Sequence, residues 1–599
     1  MLKTLKQLFQ LLTPSQRSRF YRLQILVMLM AFGELLGIAS IGPFMALVAD
    51  VQLLETNATL KQIYQATGLT NPQDFLFFAG LGVLAMLALA SVVSIFTTWR
   101  LSIFSYSVGT EIADRLYKHY LNQGWLFHAS GSSAQLTKKV ATESQRVTQQ
   151  VVNPAMQMNA RLVLALSIAT GIITYNPVIA LIGLIMFVSG YLIIYRVFRR
   201  RLVRNGQHIS HTNGQRFRLM NEGFGGIKDL ILLNRQQSYI EQFNQTGKIL
   251  ASAQGKNQAF SQAPRYFMEL IAFGAMIGLV LVLLKLHNGT LSEVLPVLAV
   301  YALAGFKLLP ALQQIYSSIT QIKGNLASFE SIKPDLIASQ KAAYNQQRPR
   351  QPDTSFQIGA IQLNNISFTY PNKKQPALNN VSITIPLNQP VGFVGESGSG
   401  KSTAIDIILA LIEPQQGSLQ IGEHIINASN KHLWQQHIGF VPQSIFLSEG
   451  SIAENIAFGI AKQDINLEQV KKAASLARLD ELINSLEQGL DTKVGERGVQ
   501  LSGGQRQRIG IARALYNNAE VLVFDEATSA LDGITEKYIM DAIHDLSGQR
   551  TIIMIAHRLK TVQKCDQIFM LEKGKLIAQG NYQELVQNNQ LFKEMARHA

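Results

Sequence analysis

The sequence is poor in cysteine and in charged residues. Its 599 residues include a single cysteine, Cys565, which excludes an internal disulfide framework and fits a reducing compartment. Only 16% of the residues are charged and 47% are hydrophobic, whereas soluble domains average about 25% charged. The chain is also too long for one domain. This balance predicts a membrane protein joined to a soluble part.

The start of the chain lacks the pattern of a cleavable signal peptide. Residues 1–22 are amphipathic and carry Lys3 and Lys6, which predicts a helix on the membrane surface. The net charge of +15 fits either nucleic acid or anionic lipid as a partner. The apolar stretches that follow favour lipid, so we expect no nucleic-acid partner.

Several apolar stretches are long enough to cross a bilayer, for which about 20 residues suffice. They predict a transmembrane domain over 23–335 with six spans, at 23–49, 75–98, 154–174, 178–198, 266–286 and 294–319. Lys and Arg cluster before the first span, between the second and third, and after the fourth, which predicts cytoplasmic termini. The polar stretches 100–150 and 199–262 predict helices that run on from the membrane.

The chain changes character after the last span. Residues 336–357, which include a segment rich in Gln, Arg and Pro, predict a linker, and residues 358–599 alternate strand and helix patterns as α/β domains do. Within this domain, residues 395–402 match G-x-x-x-x-G-K-S between an apolar strand at 391–394 and an apolar helix at 403–412. The glycines let backbone N–H groups face a triphosphate, Lys401 can reach its phosphates, and Ser402 can ligate Mg²⁺.

Two further motifs follow this loop. The apolar strand at 521–526 ends in Asp525, which can hold Mg²⁺, and Glu526, which should face the other way and polarise a water. We expect this strand beside strand 391–394; the alternative is a strand with an acidic cap. Residues 501–505, with two adjacent glycines, open a helix and form a second anion cradle, or else a glycine turn capped by Ser502.

Together these motifs resemble the ATP-binding cassette (ABC) transporters, and the six spans plus one cassette resemble a half-size exporter. The resemblance implies an α-helical transmembrane domain of the type IV exporter kind and a C-terminal α/β P-loop NTPase cassette that hydrolyses ATP. Because the chain holds one cassette, it also implies a homodimer whose motifs face each other head to tail. Residues 125–128 and 223–232 fall where the family has its coupling helices.

The resemblance also assigns roles to single residues. Tyr370 falls where the family stacks a ring on adenine, Gln443 where it contacts Mg²⁺, and Asp532 in the loop between cassettes. It implies catalysis by Glu526 and His557, Mg²⁺ ligation by Ser402, Gln443 and Asp525, and ATP contacts from Tyr370, Gly395, Glu396, Ser397, Gly398, Ser399, Gly400, Lys401, Ser402, Thr403, Gln443, Ser502, Gly503, Gly504, Gln505, Asp525 and Asp532.

Two charged residues lie well inside predicted spans, where charge is costly: Glu34 and Lys307. They are candidates for the substrate site; the alternative is a structural pair. Glu34, residues 41–44 and residues 225–230 resemble bacterial lipid-linked oligosaccharide flippases of the inner membrane. This implies a polyprenyl-pyrophosphate oligosaccharide or another amphipathic lipid as cargo. Lipopolysaccharide precursors, drugs and peptides remain alternatives, as does an ATP-gated channel or regulatory cassette protein.

Overall fold

The computed structural model divides the chain into two compact units. The first comprises Met1–Gln123 and Gly131–Gln347, and the second comprises Gly124–Ser130 and Arg348–Ala599. The residues that the structure describes are 2–52, 54, 57–69, 71–175, 177–286, 291–345, 356–371, 373–495, 498, 500–526, 533, 536–537, 540–541, 547–556 and 558–597.

All the secondary-structure elements that the structure describes in the first unit are helices. Its α-helices are α1 Leu2–Leu11, α2 Pro14–Ala49, α3 Ala58–Ala66, α4 Pro72–Leu121, α6 Ser133–Thr137, α7 Ser144–Val147, α8 Asn153–Tyr175, α9 Pro177–Gly225, α10 Ile227–Leu232, α11 Gln236–Leu286 and α12 Leu291–Asn345, with π-helical turns at Lys138–Glu143 and Thr148–Val152; α5, Trp125–Ser130, belongs to the second unit.

Each of the six predicted spans lies within one long helix. Four of these helices have 49 to 55 residues, more than a bilayer needs, so they continue beyond the membrane as the polar stretches predicted. Among the described residues, Pro14–Ala49, Pro72–Leu121 and Ser133–Thr174 are long and apolar enough to cross a membrane. These helices and α12 share a packed core that includes Val27, Leu116, Ile322 and Phe329.

Two helix ends differ from the sequence expectations. The first spanning helix begins at Pro14, inside the segment predicted as a surface helix, because Thr13 caps it with Gln16 in a capping box. At the other end, α12 continues to Asn345, ten residues into the predicted linker. Residues 336–345 contain neither Gly nor Pro, so nothing in the local sequence ends the helix there.

The second unit contains two sheets. Its strands are β1 Ile361–Phe368, β2 Leu378–Ile385, β3 Pro390–Val394, β4 Gln416–Ile421, β5 His424–Ile425, β6 Ile438–Val441, β7 Val521–Asp525, β8 Thr551–Ile555, β9 Gln567–Glu572 and β10 Lys575–Gly580. Its helices after α5 are α13 Lys401–Ile408, α14 Lys431–Gln435, α15 Ile452–Ile456, α16 Leu467–Leu476, α17 Asp480–Ser485, α18 Gly503–Tyr516, α19 Tyr582–Asn588 and α20 Gln590–Arg597, with 3₁₀ turns at Lys462–Asp464, Gly489–Asp491 and Leu559–Val562.

The larger sheet positions the nucleotide motifs. Its order is β10-β9-β3-β8-β7-β6, and all pairs except β10 with β9 are parallel, whereas the smaller sheet β2-β1-β4-β5 is antiparallel. The expectation that the strand bearing Asp525 lies directly beside β3 is wrong, because β8 pairs with both and separates them. Parallel strands still end at one edge, so Asp525 and the loop after β3 share that edge.

Candidate active site

The loop at 395–402 is shaped by glycines that no other residue could replace. Gly395 and Gly400 have φ angles of +146° and +106°, which side chains disfavour. A Cβ on Gly400 would lie 2.6 Å from the Ala377 carbonyl oxygen, and one on Gly395 would collide with the Leu571 carbonyl. The loop then enters α13 at Lys401, so its backbone N–H groups and the start of the helix form an anion cradle.

Lys401 is buried and bonded to its own loop. Its Nζ donates to the carbonyl oxygens of Gly395 at 2.7 Å and Glu396 at 2.8 Å. Burial lowers the pKa of Lys401, while the carboxylates of Glu526 and Asp525 oppose that shift. An ammonium has three hydrogens, so these two bonds leave one for a phosphate oxygen.

The hydroxyl groups around the loop fit a phosphate ligand. Ser399 Oγ is buried and has no hydrogen-bond partner within the described part of the chain, and buried hydroxyls normally have one. Thr403 Oγ1 lies 3.2 Å from Tyr370 Oη, so the predicted adenine residue is tied to the helix that carries Lys401. Glu396, Ser397, Gly398 and Ser402 belong to the same loop and helix start, as the motif predicted.

Glu526 lies where the chain leaves β7. The strand ends at Asp525, and Glu526 has a φ of +50°, so the expectation that it continues the strand alternation is wrong. Its Oε2 accepts a hydrogen bond from Gln443 Nε2 at 2.8 Å, and its N–H donates to the Ile555 carbonyl. The turn therefore brings two predicted site residues, Glu526 and Gln443, into contact.

The second predicted cradle is a capped helix start. Ser502 caps α18, since its Oγ accepts from the Gln505 N–H at 3.2 Å while the Gln505 side chain accepts from the Ser502 N–H at 2.8 Å. The glycine turn capped by Ser502 is thus present. The first N–H groups of a helix have no partner within it, so Gly503 and Gly504 can also face an anion. His557 and Asp532 lie outside the described residues.

One polar contact in this unit involves residues outside the sequence motifs. The Trp125 side chain on α5 hydrogen-bonds to Asp406 on α13, and Leu126 packs against the apolar core of the sheets. Burial raises the pKa of Asp406 to about 6; the bond from Trp125 opposes this and the charge of Asp525 adds to it. The sequence contains one sign of such a contact, because Asp406 is the one charged residue in the otherwise apolar segment 403–412.

Glu34 and Lys307 form an ion pair in the first unit. Lys307 Nζ lies 2.7 Å from Glu34 Oε2, and Ser94 Oγ, which the sequence did not single out, donates to Glu34 Oε1 at 2.8 Å. Glu34 is buried, whereas the side chain of Lys307 is 30% exposed. The pair joins α2, α4 and α12 inside the apolar region.

Comparison with known proteins decides the family. Residues 40–304 match the family model for the ABC transporter transmembrane region, and residues 378–529 match the model for the ABC transporter. The chain belongs to the ABC transporters. As an ABC transporter it binds ATP and couples ATP hydrolysis to export across a membrane.

Two relatives and one solved structure indicate which ABC transporters it resembles. An "ATP-dependent lipid A-core flippase" of Photorhabdus laumondii is 27% identical over 529 residues, covering 88% of this chain and 89% of the relative. The protein of the same name in Escherichia coli (strain K12) is 27% identical over 577 residues, covering 93% and 96%. A bacterial Atm1-family ABC exporter with ATP bound matches with a TM-score of 0.76 and 21% identity over 97% of this chain and 98% of that chain, so this ABC transporter has the same fold.

Proposed function

We propose that this ABC transporter is a homodimeric flippase of the bacterial inner membrane that moves a lipid-linked oligosaccharide with a polyprenyl-pyrophosphate anchor. The observation that carries the proposal is the Glu34–Lys307 pair, a partly exposed cation inside an apolar helix bundle coupled to an ATPase. Both termini are cytoplasmic in this proposal, because Lys and Arg flank the spans on the side of the cassette.

The site residues divide the work of hydrolysis. Tyr370 holds the adenine, the loop 395–403 with Lys401 holds the phosphates, and Glu526 accepts a proton from the attacking water. Ser402, Gln443 and Asp525 would hold Mg²⁺, which neutralises the charge that develops on the phosphate oxygens. His557 bonds the γ-phosphate. The 2.8 Å contact between Gln443 and Glu526 supports this assignment, because it places the base beside a metal ligand.

A second copy completes each ATP site. The cradle at Ser502, Gly503, Gly504 and Gln505, together with Asp532, would contact the nucleotide held by the other copy. The apolar side chains on and beside α10 support such a partner, since Phe224 is 77% exposed and Leu232 is 70% exposed. Two ATP molecules then favour the closed dimer, hydrolysis opens it, and the spans alternate their access between the two membrane faces.

The membrane pair fits an anionic cargo. The Lys307 ammonium has three hydrogens and uses one of them to bond Glu34. A remaining hydrogen on its exposed side can bond a phosphate oxygen. Because charges inside a membrane are expensive when unpaired, Glu34 keeps Lys307 stable between cargo molecules. A pyrophosphate that reaches the pair can share or displace the carboxylate. A neutral drug has no phosphate oxygen to bond with the Lys307 ammonium, so the ion pair would not favour its binding.

The names of the relatives favour a second cargo, the lipid A core. Such a glycolipid shares phosphate groups and sugars with a lipid-linked oligosaccharide, so one experiment compares the two. Fluorescent versions of each are placed in proteoliposomes with the transporter and ATP, with Glu526→Gln as the inactive control. ATP-dependent loss of accessible glycan for the polyprenyl lipid supports the proposal. Movement of the lipid A core alone selects the second cargo, and movement of neither in an active ATPase refutes both.

A charge exchange tests the substrate role of the pair. The double variant Glu34→Lys with Lys307→Glu keeps an ion pair but moves the cation to α2. If the pair is only structural, the double variant should flip lipid as well as the parent does. If Lys307 meets the cargo, flipping should fall while the melting temperature is retained. The single variant Lys307→Gln, which strands Glu34, serves as the unstable reference.

A further inference from the structure

An open groove lies at the start of α2, where the first apolar span begins. It is open to solvent, has a volume of about 500 Å³, and is lined by Pro14, Arg17, Ser18, Tyr21, Arg22 and Ile25. These positions recur every three to four residues, so they form one face of the helix. The lining thus combines two guanidinium groups with an aromatic and an aliphatic side chain, and none of the described lining residues is acidic.

The two arginines of this groove are held differently. Arg17 is fixed, since its Nη2 donates to the Gln10 carbonyl at the end of α1 at 2.6 Å and its guanidinium lies 5.8 Å from the centre of the Phe9 ring. Arg22 is exposed and forms no hydrogen bond or ion pair with any residue that the structure describes. The groove therefore has one anchored cation and one that is available to a ligand.

The same face of α2 continues into the membrane as an apolar stripe. Ile25, Met28, Leu29 and Phe32 are each 58–63% exposed, and they follow Tyr21 at helical spacing. Because Arg22 immediately precedes the first apolar stretch, the groove lies at the level of lipid head groups. A lipid whose phosphate sits between the arginines can lay an acyl chain along this stripe.

We infer that this groove is a binding site for the phosphate of an anionic membrane lipid in the cytoplasmic leaflet. Guanidinium groups match phosphate oxygens with paired hydrogen bonds. Tyr21 supplies an amphipathic ring of the kind enriched at membrane interfaces. The site is separate from the Glu34–Lys307 pair, and it takes a resident lipid of the bilayer rather than the transported molecule.

Native mass spectrometry of the full-length transporter tests this inference, with phosphatidylglycerol as the probe and phosphatidylcholine as the neutral comparison. Arg22→Gln should weaken binding of the first phosphatidylglycerol about tenfold, since a hydrogen bond to a charged group contributes about that factor. Adding Arg17→Gln should weaken it further. Arg19→Gln is the matched control, because Arg19 is exposed nearby on α2 but does not line the groove.

The outcomes distinguish a specific phosphate site from general attraction of anionic lipid to the basic residues of this segment. A loss in the Arg22 variant that is several times larger than the loss in Arg19→Gln supports the site. Equal losses in the Arg19 and Arg22 variants would mean that only the general basic flank attracts lipid, and would overturn it. So would equal binding of phosphatidylcholine by the parent. If the double variant fails to fold, the Arg22 single variant decides, since no described contact depends on that side chain.

Discussion

Replacing Asp406 with asparagine should stabilise the cassette at neutral pH. Burial raises the pKa of Asp406 to about 6, against about 4 for an unperturbed aspartate. A raised pKa in the folded state means that the folded chain binds the proton more tightly than the unfolded chain. The free energy of unfolding therefore falls as the pH rises from about 4 to about 6, and the loss is complete above that range.

The size of the effect follows from the same values. A difference of about two pKa units corresponds to about 3 kcal/mol. Asp406 is only partly buried, so solvent screening reduces this to about 1–2 kcal/mol. Asparagine removes the charge, and its side-chain oxygen can still accept the hydrogen bond from Trp125. For a domain of this size the gain should raise the melting temperature by about 2–6 °C at pH 7.5.

Thermal melting of the full-length transporter between pH 4.5 and 7.5 measures this gain. The gap between Asp406→Asn and the parent should shrink as the pH falls, because the parent aspartate then takes up its proton. Asp491→Asn is the matched control, since it makes the same substitution at an exposed position of the same unit. A gap that stays constant with pH, or a variant that melts lower at pH 7.5, would show that the Asp406 carboxylate does not destabilise the folded cassette.

Three further variants probe the same unit. Trp125→Phe removes a bond that lowers the pKa of Asp406, so its melting temperature should drop more steeply than that of the parent between pH 5 and 7; an unchanged slope would contradict this role. Glu526→Gln should bind ATP but hydrolyse it about 10²–10⁴-fold more slowly in single-turnover assays, and brisk turnover would exclude it as the base. Lys401→Ala should lose affinity for a fluorescent ATP analogue, and undiminished binding would argue against its phosphate role.

The sequence predicted the parts of the fold that local chemistry determines. The loop 395–402 was recognisable because glycines and Lys401 must occupy fixed positions around a phosphate. The long helices were recognisable from apolar stretches that run into polar ones. The insertion of β8 between β3 and β7 was not, because strand order depends on pairing between segments distant in the chain.

The contacts that could not be predicted from the sequence also depend on packing between segments that are distant in the chain. A pair between Glu34 and Lys307 was one of the two sequence hypotheses and is present, but the bond from Ser94 to Glu34 was not predicted, because it depends on how the helices pack. Asp406 likewise acquires its raised pKa from burial and from the charge of Asp525, neither of which its neighbours in sequence reveal. The backbone turn at Glu526 overrode the simple alternation of a strand.

The conformation of Glu526 sets a limit on how far this protein can be made thermostable. A residue with a side chain loses about 1–2 kcal/mol in the left-handed region that glycine occupies freely, and Glu526 has a φ of +50°. Glycine or asparagine at position 526 should therefore stabilise the folded chain while removing the proposed catalytic base. A screen for heat resistance alone should therefore select substitutions at this position, and the selected variants would be thermostable but inactive in transport. Any such screen should hold Glu526 fixed.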